Sequence, residues 1–488
     1  MGEFMTVCTR FAPSPTGYIH IGNVRTALFN FLFARHTGGK MILRIEDTDF
    51  ERSKKEFADA VMSDLKAVGI SWDEGPFYQS QRSTFYNDAL NQLKKQDRVY
   101  LCYCTAEELA ARRKEALLMK RPPRYDNRCR TLSQAEIEKR KAEGIQPTIR
   151  FKVDEKEPIL VQDLIRGDVH FNPDEIGDFV IMRTHPSKPN EFLPTFHMSV
   201  CVDDGLMKVT HVIRGEDHLS NSPRHVLLFR ALGFEVPKFA HLSLIHGPGG
   251  EPLSKRLTSV RVRDFINKSG YLPEALLNYL SLLGWSPKDN REVMTLPEII
   301  QEFDPKNATK HPAIFNEEKL DWINSEHLRK LDESEYESRA IQFLKSLGDS
   351  AKNLFRNQTY LEKSLSLVKT DIKKFQDLPE RLNFLPEPNF SELPKEEKEV
   401  LAQPDAPKVL EAAGKALLEF SEESEALFDV LSAHLKKNTT AKGKALFMPL
   451  RVAVTGHVHG PELKKVFGIL DKKTIRGRIQ NSLAISSK

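Results

Sequence analysis

No run of 18 apolar residues occurs in this 488-residue chain, and its N-terminus has no apolar core behind a basic start, so neither membrane spanning nor export is expected. Cysteine is scarce: Cys8, Cys102, Cys104, Cys129 and Cys201 are an odd set in a long chain, which excludes a disulfide-stapled miniature and points to a reduced, cytoplasmic setting. With 25 glycines and 28 prolines the chain lacks the composition of a collagen or a low-complexity polymer, and no internal repeat stands out. What it has is 40% hydrophobic and 29% charged residues, the balance of a polar globular protein, in a length that suits about three domains. Met1-Gly2-Glu3-Phe4 stand before a second methionine, Met5, and are left out of the functional reading.

Charge of either sign is nearly absent as a net quantity, 72 Lys and Arg against 68 Asp and Glu, but its distribution is uneven. Residues 441–488 hold 10 basic and 2 acidic side chains, a local charge of +8, so the preceding 440 residues sum to −4. That segment also carries Phe447, Met448, Leu450, Val452, Val454, Leu463, Val466, Phe467, Ile469 and Leu470, which suits a folded element with a basic face rather than a solvated tail.

Residues 6–12 read as a strand, Pro13, Pro15 and Gly17 break the run, and a helical pattern opens through Leu28, Phe29, Leu32 and Phe33. A second strand, Met41 to Ile45, ends in the acidic cluster Glu46-Asp47-Thr48-Asp49, and a helix follows through Phe57, Val61, Met62 and Leu65. Such alternation predicts a Rossmann-like α/β domain with a parallel sheet, whose ligands sit beyond the strand carboxyl ends. Residues 101–200, with a capping box at Ser133 to Glu136 and short strands around Thr148 to Val153 and Phe179 to Arg183, read as an inserted α+β domain. The α/β pattern resumes at Val209 to Arg214 and a helix begun by Ser222-Pro223; helical stretches such as Glu337 to Leu347 and Val409 to Phe420 dominate beyond residue 325. The expected division is therefore 6–100 with 201–325, then 101–200, then an all-α 326–488, with Pro-rich linkers at Leu378 to Asn389 and Gln403 to Lys408.

Two short elements carry phosphate chemistry. His20-Ile21-Gly22-Asn23 puts an imidazole and a glycine at a helix start, where bare N–H groups and the helix dipole favour an anion, although a turn of this kind is by itself more often only a turn. Leu253-Ser254-Lys255-Arg256, behind the Gly-rich loop 247–250, offers adjacent cations suited to a triphosphate, or simply a solvated basic turn. Cys102, Cys104 and Cys129, with Tyr125 four residues before the last, are three thiols and a phenol short of the usual four Cys or His ligands of zinc; buried or free thiols are the plain alternative.

Together these elements resemble the paired signatures of class I aminoacyl-tRNA synthetases. The block RFAPSPTGYIHIGN with RIEDTD, followed by VDDGLMKVTHVIRGEDHLSNSPRH and YLPEALLNYLSLLGWS, resembles the glutamyl-tRNA synthetase family over residues 6–330, and LRVAVTGHVHGPEL extends the likeness more loosely. The resemblance implies that His20, Gly22 and Asn23 form the first ATP signature and Ser254, Lys255 and Arg256 belong to the second. It implies Arg10, Ala12, Ser14, Glu46, Phe196 and Arg214 around the amino acid, and a zinc site at Cys102, Cys104, Tyr125 and Cys129 like that of some relatives. Asn23 stands where the class has a second histidine, Pro252 where the second signature usually opens with lysine, and Phe196 where the family often has tyrosine. The implied activity is ligation of glutamate to tRNA(Glu) with ATP and Mg²⁺, activation requiring bound tRNA, by a monomer. Two relatives remain open as alternatives: a glutamyl-queuosine-type paralogue, which lacks an anticodon-binding half, and a glutaminyl-tRNA synthetase, whose C-terminal part is β-rich. From other classes, a small-metabolite nucleotidyltransferase and a noncatalytic RNA-binding protein remain.

Overall fold

The structure, a computed structural model, describes residues 6–49, 51–251 and 261–486. The chain forms two compact units, Met1–Asp264 with Pro273–Glu317, and Phe265–Leu272 with Glu318–Lys488.

The first unit starts with β1 (Cys8–Phe11), α1 (Ile21–His36), β2 (Lys40–Ile45), α2 (Lys55–Ala67) and β3 (Glu74–Tyr78), three parallel strands in the order β1-β2-β3. The strands are short apolar runs because both faces are covered, the pattern of a parallel sheet. After α3 (Ser83–Lys95), β4 (Val99–Cys102) leads through α4 (Ala106–Leu118) and α5 (Gln134–Ala142) to β5 (Thr148–Phe151). The Ser133 hydroxyl accepts from the Glu136 N–H and the Glu136 carboxylate from the Ser133 N–H, the reciprocal cap expected at the start of α5. Next come β6 (Ile159–Asp163), β7 (Gly167–Phe171), α6 (Pro173–Ile176), β8 (Phe179–His185) and β9 (Lys188–Pro194). β4, β5, β8 and β9 make an antiparallel sheet, whereas β6 leaves it to pair in parallel with a later strand.

That later strand belongs to the resumed α/β pattern: α7 (Phe196–Leu206), β10 (His211–Gly215), α8 (Ser222–Leu232) and β11 (Lys238–Leu242). β10 and β11 are parallel neighbours, β6 lies beside β11, and β7 closes that edge as a hairpin. β10 meets β1 where the Thr210 N–H donates to the Cys8 carbonyl at 2.9 Å. The two sheets, β1-β2-β3 and β10-β11-β6-β7, meet at β1 and β10, so successive strands are added outward in opposite directions from that seam. One core cluster of buried side chains extends from Ile42 and Leu90 through Ile149, Phe151 and Val161 to Val212 and Phe239. The unit ends with β12 (Ile245–His246), α9 (Val262–Asn267), which runs past the boundary at Asp264, then α10 (Pro273–Leu282), α11 (Leu296–Glu302) and β13 (Ala313–Ile314). α1 is buried nearly all round, as a helix between a sheet and the covering α10 and α11 must be.

The second unit contains helices only among its described residues: α12 (Glu317–Lys330), α13 (Glu333–Ser346), α14 (Gln358–Val368), α15 (Leu378–Arg381), α16 (Lys395–Leu401), α17 (Ala406–Glu419), α18 (Ser424–Asn438), α19 (Lys444–Thr455), α20 (Leu463–Ile469) and α21 (Lys472–Ser486). The Pro-rich stretches 378–389 and 403–408 are not linkers. Both lie inside this unit, Leu378, Leu382 and Phe384 are buried, and Pro379 and Pro407 occupy the first turns of α15 and α17, where a missing N–H costs nothing. The basic C-terminal segment folds as expected, with Leu450, Val454, Val466, Phe467 and Leu470 buried. Its charge is not all outward: buried Arg478 donates to the carbonyls of Phe384, Leu385 and Val454, and Arg451 to that of Pro461. No helix among the described residues is long and apolar enough to cross a membrane.

Candidate active site

A cleft of about 560 Å³ opens at the carboxyl ends of β1 and β10, the place where strand order reverses and where open α/β sheets bind their ligands. Arg10, Ala12, Ser14, His20, Gly22, Asn23, Glu46, Phe196 and Arg214 all line it. Pro252, Ser254, Lys255 and Arg256 lie outside the described residues. Past that segment, Arg261 pairs with the backbone of His20 as an isolated antiparallel bridge, and its guanidinium stacks 4.8 Å from the Tyr18 ring centroid.

One lip of the cleft is the start of α1. His20 is its N-cap residue, in an extended conformation and without a side chain-to-backbone cap, so the imidazole is not consumed in finishing the helix. Burial holds the His20 pKa below its ordinary value, leaving a neutral ring that can donate one hydrogen bond. A Cβ on Gly22 would lie 3.1 Å from that ring, so glycine here keeps space open beside the imidazole. No acidic side chain sits in the first turn to oppose an anion there.

The other end is built by the acidic turn and its arginines. The Glu46 N–H donates to the Pro13 carbonyl at 3.0 Å, which ties the turn to the loop before α1. The turn then divides its carboxylates. Asp47 accepts from the Ser80 N–H and hydroxyl at 2.8 and 2.6 Å, Asp49 accepts from Arg52 at 2.8 Å, and only Glu46 faces the cleft. Burial pushes the Glu46 carboxyl up, against the pull of Arg44 and Arg10. Arg44 has no exposed side-chain surface and lies among three carboxylates, Asp204 at 2.6 Å, Glu46 at 3.2 Å and Asp203 at 3.8 Å. Arg10 shares Asp204 at 3.3 Å.

Arg214, at the end of β10, is just as buried and lives differently. Its hydrogen-bond acceptors are the His241 ring at 3.2 Å, the His225 ring at 3.3 Å, the Ser222 hydroxyl at 2.9 Å and the His218 carbonyl at 3.3 Å. Burial, then the nearby charge of Arg10, bring its pKa down to about 10, so it stays a cation at neutral pH. Phe196 opens α7 and lays its ring 5.5 to 5.7 Å from His197, His218 and His225, a purely apolar wall over this end.

Sequence reasoning missed Arg25, Thr26, Asp217 and His218, which also line the cleft. It missed as well the supporting pair His241 and Asp163, 2.5 Å apart. The motif containing Arg214 spans His218 and His225, but nothing in residue spacing distinguishes these from core histidines.

A second cluster lies in the antiparallel region. The sulfurs of Cys102, Cys104 and Cys129 are all within 4.8 Å of one another, Cys104 and Cys129 at 3.6 Å. The Tyr125 hydroxyl is 3.5 Å from Cys102 and 3.6 Å from Cys104, and Arg150 stacks 3.7 Å from the Tyr125 ring centroid. Three soft thiolates and one oxygen at such spacing are a donor set that fits a tetrahedral ion with ligands about 2.3 Å away.

Residues 6–322 match the family model of the catalytic domain of class I tRNA synthetases (E and Q), and residues 335–483 match that of an anticodon binding domain. The chain is 41% identical to glutamate–tRNA ligase 1 of Caldicellulosiruptor saccharolyticus, over 98% of this chain and 99% of that protein. It is 40% identical to the glutamate–tRNA ligase of Bacillus licheniformis, over 97% and 99%. The crystal structure of a glutamate tRNA ligase from Elizabethkingia meningosepticum in complex with its amino acid superposes with a TM-score of 0.82 at 30% identity, covering 98% of this chain and 99% of that one.

Proposed function

The chain belongs to the glutamate and glutamine group of class I tRNA synthetases, and from that membership and its cleft we propose that it is a glutamate–tRNA ligase acting with ATP. The observation that carries the substrate reading is the meeting of Arg10, Arg214 and Glu46 at one end of a cleft whose other lip is a helix start bearing His20 and Gly22. Two guanidiniums suit the carboxylates of glutamate, Glu46 suits its ammonium group, and the helix start suits phosphate. The glutaminyl alternative gains nothing from a helical second unit, and the short paralogue lacks what residues 335–483 match.

In the reaction, a carboxylate oxygen of glutamate attacks the α-phosphorus of ATP; the P–O bond to the β-phosphate breaks and pyrophosphate leaves with its electron pair. A ribose hydroxyl of the terminal tRNA nucleotide then attacks the glutamyl carbonyl, and AMP leaves. No side chain has to become a nucleophile, so the protein contributes position and charge. His20, Gly22 and Asn23 are assigned to the ATP phosphates and ribose side, with Ser254, Lys255 and Arg256 as the second phosphate-binding group. Arg10, Ala12, Ser14, Glu46, Phe196 and Arg214 are assigned to the amino acid. Mg²⁺, bound with ATP mainly through its phosphates and waters, supplies neutralisation of their charge. Residues 6–100 with 201–325 are assigned to catalysis, 101–200 to the tRNA acceptor end and 326–488 to the anticodon, in a monomeric cytoplasmic enzyme.

Pyrophosphate exchange with glutamate tests the reading. Exchange is expected only when tRNA is added, and Lys255→Ala lowers it about a hundredfold by removing a cation from the leaving group. No exchange under any condition, or full exchange in that variant, contradicts it.

Glu46 makes a pH prediction. A carboxylate whose pKa burial has raised is protonated, as pH falls, sooner than an ordinary one titrating near 4, and a neutral acid no longer attracts an ammonium. KM for glutamate therefore rises on the acid side while KM for ATP stays level, and Glu46→Gln removes this pH-dependent limb. A limb that persists in Glu46→Gln belongs to another group.

Cys102, Cys104, Cys129 and Tyr125 are assigned to a structural zinc ion, which when bound supplies a cross-link between β4 and the turn at 125–129. Elemental analysis is expected to give one zinc per chain in the wild type and none in Cys102→Ser, with a lowered melting temperature in the variant. Equal metal content in the two proteins rules the assignment out.

A further inference from the structure

The buried guanidinium of Arg214 touches no carboxylate among the described residues. Its four acceptors are two imidazoles, a hydroxyl and a backbone carbonyl, and the ring 5.5 Å from its carbon, Phe239, is neutral too. These acceptors engage at most four of its five N–H donors and none of its charge. Arg44, a buried arginine of the same unit, has three carboxylates within 4 Å. Among the described residues Arg214 shares the lack of one with Arg25, which donates to the Leu283 and Ser243 carbonyls, but Arg214 alone of these two is held by side-chain acceptors.

The neutrality of this cradle is itself built. The Asp163 carboxylate accepts from the Ile165 and Arg166 N–H groups on one oxygen, at 2.9 and 2.8 Å, and from the His241 N–H and Nδ1 on the other, at 3.1 and 2.5 Å. An ionised carboxylate only accepts, so Nδ1 of His241 carries the proton and Nε2 presents a lone pair. That lone pair receives the Arg214 Nε–H at 3.2 Å, while the Ser222 hydroxyl lies 3.0 Å from the same nitrogen. His225 offers Nδ1 to Arg214 and lies 3.1 Å from His197 on its other nitrogen, so it too is held as a neutral acceptor. Asp163 thus steers the arginine through His241 without reaching it, its own oxygens being fully occupied.

We propose that His241, set by Asp163, together with Ser222 and His225, determines which side chain the site accepts: by holding Arg214 on uncharged acceptors they leave its charge for the ligand. The pocket then favours a carboxylate over the uncharged carboxamide of the same shape, glutamate over glutamine. This rests on the assignment of Arg214 to the amino acid. His241 and Asp163 are positioning residues; neither has to touch the substrate.

An anion placed in the cradle gives the test. Ser222 is the first residue of α8, where an aspartate is favourable, so Ser222→Asp is expected to fold while supplying Arg214 with an internal partner. In pyrophosphate exchange with tRNA present, Ser222→Asp is expected to lower the ratio of kcat/KM for glutamate over glutamine about tenfold or more, through KM for glutamate, with KM for ATP unmoved. His241→Glu, which adds the anion from a different element, shifts the ratio the same way and serves where the first variant melts below the assay temperature. His241→Gln restores a neutral acceptor and keeps the ratio within about threefold of wild type. Unchanged ratios in folded Ser222→Asp or His241→Glu protein overturn the proposal, as does a collapse in His241→Gln equal to theirs. A wild type that activates no glutamate overturns instead the functional reading beneath it.

Discussion

Arg214→Gln is expected to lower kcat/KM for glutamate roughly 30- to several-thousand-fold, the cost of withdrawing one partner from a desolvated charge pair, while leaving the unfolding free energy within about 1 kcal/mol of wild type. The two halves have one cause. The free protein already bears the cost of burying this guanidinium, as its pKa of about 10 records, and no carboxylate loses a partner when it goes. The glutamine amide can still donate to the neutral acceptors that held the arginine. Steady-state kinetics beside thermal melts in the same buffer separate the terms. A variant that loses stability along with activity would show that Arg214 is a structural cation after all.

Arg44→Leu should do the opposite, costing about 3–5 kcal/mol of stability because it removes a shared cation from three buried carboxylates, leaving Asp204 with Arg10, Asp203 with Arg82 and Glu46 with no ion-pair partner among the described residues. Asp203, Asp204 and Glu46 are 9% exposed or less, and each has a nitrogen of Arg44 within 4 Å. The sign with pH follows from Asp204. Burial pushes its carboxyl up, but Arg10 and Arg44 outweigh it and hold the pKa below the ordinary value. A depressed folded-state pKa contributes stability that is present above the unfolded value, about 3.9, and lost as pH falls through the folded one. In the variant the carboxyls that have lost Arg44 take up protons at higher pH, which relieves them. The deficit against wild type is therefore largest near pH 7 and shrinks toward pH 5, readable from melts at the two values. A deficit independent of pH would mean that lost packing, not lost charge, dominates.

The contrast between these two arginines also marks how far residue order alone could reach. β1, the broken loop and α1 were legible because Pro13, Pro15 and Gly17 interrupt an apolar run and a 3.6-residue pattern follows. The acidic turn after β2 was legible as a site element for the same reason, since ligands gather at strand ends. Which of its carboxylates faces the cleft was not: Asp47 turns to Ser80, 33 residues away, and Asp49 to Arg52. Likewise Arg214 draws its cradle from positions 218, 222, 225 and 241 and its steering from Asp163, contacts between separate strands and a helix that leave no periodic trace. Prolines misled at 378–389 and 403–408 because the same residue that ends one helix can start another. The C-terminal charge count misled in part, since Arg451 and Arg478 spend their donors on backbone carbonyls.

The boundary between the two compact units is crossed three times, because Phe265–Leu272 belongs with the helices although the chain returns to the first unit for Pro273–Glu317. Inside the helical unit that short piece is held by Asn324, whose side-chain oxygen accepts from the Leu272 N–H at 2.8 Å, and by the Phe375 N–H on the Gly270 carbonyl at 3.2 Å. Neither half is therefore one unbroken stretch of sequence apart from the other. A gene cut after codon 317 would yield a protein still carrying an eight-residue graft from the missing half, with Tyr271 and Leu272, 2% and 1% exposed in the whole chain, stripped of what covers them. Shedding or exchanging the helical half, by recombination or by design, requires rewriting two places in the message rather than one.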